Sequence, residues 1–161
     1  MTPLCFLDTN ILLYSHDETD ARKRTISRHL VSELARTSAF VVSLQVLNEY
    51  YRVATSKPGQ QERRSIYRDN VRRFRLACTA PFDTSVIEAA WDLQDITNYH
   101  WWDLLIIASA SKAGCRYLLT EDMHHGQEFG DLTLVNPFFA DLDEVISKLG
   151  IYPPPFPIPD S

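Results

Sequence analysis

Five short apolar runs, at residues 4–7, 40–43, 80–82, 117–120 and 132–135, set the strongest limit on how this 161-residue chain can fold. Each has the length of a buried strand, and the stretches between them carry apolar residues at helical spacing. Ile26, Leu30 and Leu34 form one such stripe. Leu47, Tyr50, Tyr51 and Ala54 form a second, and Val86, Ala89, Ala90 and Leu93 a third, whose helix has the spacing of a capping box in Ser85 and Glu88. Gly114 stands where a helix begun near Asp103 should stop. Short buried strands alternating with helices predict a mainly parallel sheet covered on both faces, a three-layer α/β/α sandwich.

With 45% hydrophobic and 23% charged residues the chain can bury one core and is too short for two ordinary domains. Residues 1–149 are read as that domain. Residues 150–161 are a proline-rich tail, because residues 151–159 hold five of the nine prolines, which suit neither a helix nor a central strand. The tail is expected to run extended over the surface or be disordered, with no part in catalysis. No run approaches the roughly 18 to 20 apolar residues of a membrane span, and no basic region precedes the first apolar run, so a soluble cytoplasmic protein is expected. Cys5, Cys78 and Cys115 are odd in number and widely spaced, and read as buried thiols.

The net charge of −5 is unevenly spread. Residues 22–75 carry 13 Lys and Arg against 4 Asp and Glu, whereas residues 76–161 carry 3 against 13. Within the basic half, Tyr67, Val71, Phe74 and Cys78 make an apolar helical stripe, with Arg64, Arg68, Arg72 and Arg75 in a stripe beside it. Phosphate contact and an acidic partner segment are equal readings of that arginine face.

In parallel α/β sheets ligands bind beyond the carboxyl ends of strands. Asp8 ends the first apolar run, and Asp122 follows the fourth. Asp103 opens an intensely apolar helix and Glu49 lies inside another. Each acid alone has an ordinary reading: a helix cap for Asp8 or Asp103, a half-exposed helix residue for Glu49, a turn former for Asp122. Carboxylates gathered at one sheet edge, however, repel one another unless a cation joins them.

The segments FLDTNILL (6–13), LNEY (47–50), WDLLIIASA (102–110) and LLTEDM (118–123) resemble, in order, the four acidic motifs of the PIN-domain nucleases. The resemblance runs from residue 4 to about residue 138, and HGQEF (125–129) with VNPF (135–138) resembles a subgroup of that family. In size and bareness the chain is most similar to the bacterial and archaeal toxins of VapC type. The resemblance implies a five-stranded sheet of order 3-2-1-4-5. It also implies an acidic quartet of Asp8, Glu49, Asp103 and Asp122 as catalytic and metal-binding residues, with Asn10 and Thr120 orienting the ligands or the water. It further implies an endoribonuclease toxin that forms a homodimer and is held inactive by a cognate antitoxin.

All-oxygen carboxylate sites suit hard ions, so Mg²⁺ or Mn²⁺ is the expected cofactor, with hydrolysis leaving a 5′-phosphate and a 3′-hydroxyl. The histidines His124 and His125 are read as surface or supporting groups rather than acid and base. A haloacid-dehalogenase-like phosphatase would need an Asp where Asn10 stands, and a Rossmann dinucleotide binder a glycine-rich turn after the first strand. The remaining rival is a noncatalytic PIN fold that serves as an RNA-binding or protein-interaction scaffold.

Overall fold

The computed structural model describes residues 1–160. Its strands are β1 (Cys5–Leu7), β2 (Phe40–Val41), β3 (Tyr117–Leu119), β4 (Glu128–Phe129) and β5 (Leu132–Val135), forming one sheet in the order β2-β1-β3-β5-β4. β1 pairs in parallel with β2 and β3, and β3 with β5, while β4 runs antiparallel to β5. Cys5, Phe6 and Leu7 have no exposed surface, as expected of a strand whose two faces are both covered. The cover is α1 (Thr9–Tyr14), α2 (Ala21–Arg36), α3 (Leu44–Ser56), α4 (Arg64–Phe74), α5 (Thr84–Gln94), α6 (Trp101–Lys112) and α7 (Leu142–Leu149). The α/β/α sandwich with a mainly parallel five-stranded sheet is therefore the observed fold.

Two local expectations are corrected. Residues 80–82 form no strand, although the segment still flanks β2: Val42 N–H donates to the Ala77 carbonyl (2.8 Å) and Ala80 N–H to that of Val42 (3.3 Å). Pro81 has no N–H to extend that ladder. The outer place in the expected 3-2-1-4-5 order is thus held by irregular chain, and the fifth strand is β4. The helix expected to start at Ser85 begins at Thr84 with Asp83 as its cap, whose Oδ1 accepts from Ser85 N–H (2.8 Å) and Ser85 Oγ (2.6 Å). A carboxylate two residues earlier takes the capping place from the serine.

α6 is covered on both sides. It buries seven consecutive residues, Leu104 to Ala110, because it lies between two apolar surfaces. Ile106, Ile107 and Ala110 belong to the main core beneath the sheet, whereas Leu104, Leu105 and Ala108 pack with Val86 and Ala90 of α5. Gly114, in the left-handed region at φ 74°, lets the chain leave this helix for β3.

All three cysteines are free, with Cys5 and Cys115 buried, and burial pushes the Cys115 thiol up to about 12. Among the described residues of the tail, 150–160, there is no helix or strand, but the segment is tied down. Ile151 is buried, the Tyr152 carbonyl lies 2.7 Å from His29 Nε2 on α2, and Ile158 packs on the core. Among the described residues no helix is long and apolar enough to cross a membrane.

Candidate active site at the carboxyl edge of the sheet

Parallel pairing of β1 with β3 puts their carboxyl ends side by side, and the chain turns there into polar sequence on both strands. Asp8, directly after β1, is 5% exposed and caps α1, its Oδ1 accepting from Thr9 N–H at 2.7 Å. Its Oδ2 accepts from Thr120 Oγ1 at 2.8 Å, and Thr120, which follows β3, is fully buried. One residue of α1 onward, Asn10 Nδ2 donates to Asp122 Oδ2 at 2.9 Å. Thr120 Oγ1 also accepts from Asp122 N–H at 3.2 Å, closing the turn that presents that acid. Thr9 Oγ1 donates to Glu49 Oε2 on α3 at 3.3 Å.

Asp103 occupies the first turn of α6, whose two-sided burial fixes its direction. Its carboxyl is raised above the ordinary value, first by burial, then by the charge of Asp122 and, less strongly, of Glu49, with His100 opposing. Burial likewise pushes Asp8 up to about 7; the hydrogen bonds from Thr120 and Thr9 pull it back and the charges of Asp122 and Asp103 raise it further. The four predicted acids thus lie in one electrostatic neighbourhood. Among the described residues none of them is ion-paired with Lys or Arg, and no three His, Cys, Asp or Glu side chains are drawn into a closed cage.

The donor set is all oxygen, the chemistry of a hard divalent cation. Asn10 Oδ1 is buried without a hydrogen-bond partner, an acceptor that a hydrated cation would satisfy. The residues present therefore fit Mg²⁺ or Mn²⁺. Glu121, beside Asp122, is occupied elsewhere: Lys23 Nζ bonds its Oε2 at 2.8 Å and Tyr14 OH donates to its Oε1.

The structure adds two residues that sequence reasoning passed over. Thr9, inside the quoted DTN triplet, joins Asp8 to Glu49. Tyr99 carries no sequence signal. Its phenol oxygen accepts from His124 N–H (3.0 Å), lies 3.1 Å from His124 Nδ1 and donates to Gln127 Oε1, tying the approach to α6 to the loop after Asp122. His125 Nδ1 accepts from Asn136 N–H at 3.1 Å, so both histidines hold this loop.

The arginine face forms in part on α4: Tyr67 is buried, Val71 and Phe74 pack against the core, and Arg64, Arg68 and Arg72 are exposed, but the helix ends at Phe74, so Arg75, also exposed, falls in a 3-10 turn and Cys78 lies beyond it. Arg68 Nε donates to Tyr51 OH at 3.3 Å, and Arg72 pairs with Asp69 at 2.6 Å.

Residues 5–127 match the family model described as the PIN domain. None of the curated proteins matches the sequence. Among solved structures, FitAcB from Neisseria gonorrhoeae superposes with a TM-score of 0.64 at 15% identity, covering 85% of this chain and 100% of that one. VapBC2 from Rickettsia felis, solved bound to a DNA fragment from its promoter, gives 0.58 at 20% identity, covering 81% and 96%. At such identities the likeness is one of fold.

Proposed function

This chain belongs to the PIN domain family, and on that premise we propose that it is a Mg²⁺- or Mn²⁺-dependent endoribonuclease, the toxin of a toxin–antitoxin pair. The observation that carries the reading is the carboxyl edge of the sheet, where Asp8, Glu49, Asp103 and Asp122 share one electrostatic neighbourhood and, among the described residues, none is ion-paired. Those four acids would hold the cation. When bound, it supplies Lewis acidity toward a water and the scissile phosphodiester, and neutralises the leaving oxygen.

The chain's own residues do the positioning. Thr120 and Thr9 hold both oxygens of Asp8, and Asn10 aims Asp122, leaving its own Oδ1 as an acceptor for a water. Burial raises the Asp8 carboxyl to about 7, so a cation bound there would favour its ionised form and release a proton near neutral pH. Arg64, Arg68 and Arg72 on α4, with Arg75 just past its end, offer phosphate contacts to RNA away from the reacting bond.

Residues 1–149 are proposed as the catalytic domain and 150–161 as an appended tail. FitAcB and VapBC2 motivate an antitoxin as partner, alongside a second copy of this chain. Exposed Trp91, Trp102 and Ile96 give apolar surface for such contacts. The proposed location is the cytoplasm.

The test is cleavage of structured RNAs by the purified protein with Mg²⁺ or Mn²⁺, with and without chelator. Cutting that needs the ion and is lost in Asp103→Asn supports the reading. RNA that is bound yet left uncut would establish the noncatalytic scaffold instead.

A further inference from the structure

Beside the acidic edge lies a cavity of about 440 Å³, walled by the loop after α1 on one side and by the end of α3 and the start of α4 on the other. Its volume falls within the roughly 300–1,000 Å³ typical of small-molecule sites. Asn10, the residue that aims Asp122, also lines it, so cavity and acids share a wall.

The lining is built rather than incidental. His16 is fixed through Nε2 to Tyr50 OH at 3.0 Å, and Tyr50 OH in turn accepts from Asn70 Nδ2 at 2.9 Å. The imidazole packs on the Tyr67 ring with centroids 5.3 Å apart, and burial lowers its pKa, keeping it a neutral aromatic wall. Tyr67 OH donates to Gln60 Oε1 at 2.6 Å, which orients that amide and leaves its NH₂ group to donate elsewhere. Lys57 and Arg63 line the same cavity, are exposed, and among the described residues form no ion pair. Two acids line it as well: Asp17 is turned to Thr19, accepting from its N–H and hydroxyl, and lies within reach of the Lys57 charge, while Glu18 stays exposed.

Flat neutral rings, one oriented amide and two uncommitted cations form the chemistry that receives a base, reads its edge and contacts its phosphate. We propose that this cavity takes one nucleotide of the RNA next to the scissile bond, base against His16 and Tyr67, phosphate toward Lys57 and Arg63. The inference rests on the nuclease reading and gives that site a subsite for base selection.

The full-length Asp103→Asn protein, which should not turn over RNA, is titrated with the four ribonucleoside 5′-monophosphates and with ribose 5-phosphate, while the His16 ring and Gln60 amide signals are followed by NMR. At least one nucleotide should shift both signals and bind about tenfold or more tighter than ribose 5-phosphate, the scale of one stacked base. Replacing Lys57 and Arg63 by Ala together should weaken that binding about tenfold, the scale of one charge-assisted contact, with an unchanged melting temperature. Equal binding of the base-free sugar phosphate, or shifts confined to residues outside the cavity, overturns the inference. If wild-type protein cuts RNA while no nucleotide reaches the cavity, the subsite fails and the nuclease stands. If nucleotides bind there and no RNA is cut, the nuclease reading fails and the cavity stands.

Discussion

The acidic edge and the arginine face are both charged, yet they are held in opposite ways. At the edge, Asp8 is almost wholly buried and each of its oxygens is engaged by a neighbour, Thr120 just after β3 or Thr9 at the start of α1. On α4 the guanidinium groups stand in solvent, and the pair that forms, Arg72 with Asp69, is local, three residues apart and over half exposed on both sides. Exposed pairs of this kind contribute about 0–1 kcal/mol. A buried, tethered and unneutralised charge is costly to maintain and argues for chemistry, whereas an exposed row of like charges argues only for attraction at a distance.

That contrast can be broken by substitution. Asp103→Asn, which leaves the α6 packing intact, should lower RNA cleavage by more than the roughly 10–100-fold seen when groups supporting a metal site are lost. Retention of wild-type rate would remove Asp103 from the site. Asn10→Ala, which frees Asp122, should cost about 10–100-fold in cation affinity, measured by the Mg²⁺ concentration needed for half-maximal activity.

A third comparison is thermodynamic. In chelator, Asp8 has a folded-state pKa near 7, above its unfolded value, so its contribution to stability is fully present below about pH 4 and is lost as pH rises toward 7. Asp8→Asn should abolish that slope, on the order of a few kcal/mol over the window, measured by urea unfolding at several pH values. A slope unchanged in the variant would mean that another group titrates. On α4, replacing Arg68 and Arg72 should change least: RNA affinity falls modestly and the salt slope flattens by roughly 0.7 to 0.9 for each phosphate no longer neutralised. An unaltered slope would assign that face to a protein partner.

The sequence exposed these two regions unequally. Asp8 was legible from a strand end, because an apolar run stops at it, whereas after the fourth run two acids follow Thr120 and it took the family motif to choose Asp122 over Glu121. Glu49 and Asp103 stood out locally only as acids set in apolar helices, which an exposed helix residue and a helix cap explain as well, and it was the family resemblance that joined them to the other two. Thr9 and Tyr99 were hidden because their partners, Glu49 and the residues at 124 and 127, lie 25 to 40 positions away and meet only once the sheet has formed. The missing strand at 80–82 shows apolar content overruled by a proline's lack of a donor.

One oxygen atom, the Tyr99 hydroxyl, rivets the lead-in of α6 to the loop beyond β3. That tie adds to the core packing of α6 and to the bonds that hold Asp122, joining the two elements directly at the rim of the site. The Phe variant at that position would keep its ring against Phe129 and yet unlatch the aperture, with the His124 amide exchanging its hydrogen sooner than the sheet beneath it.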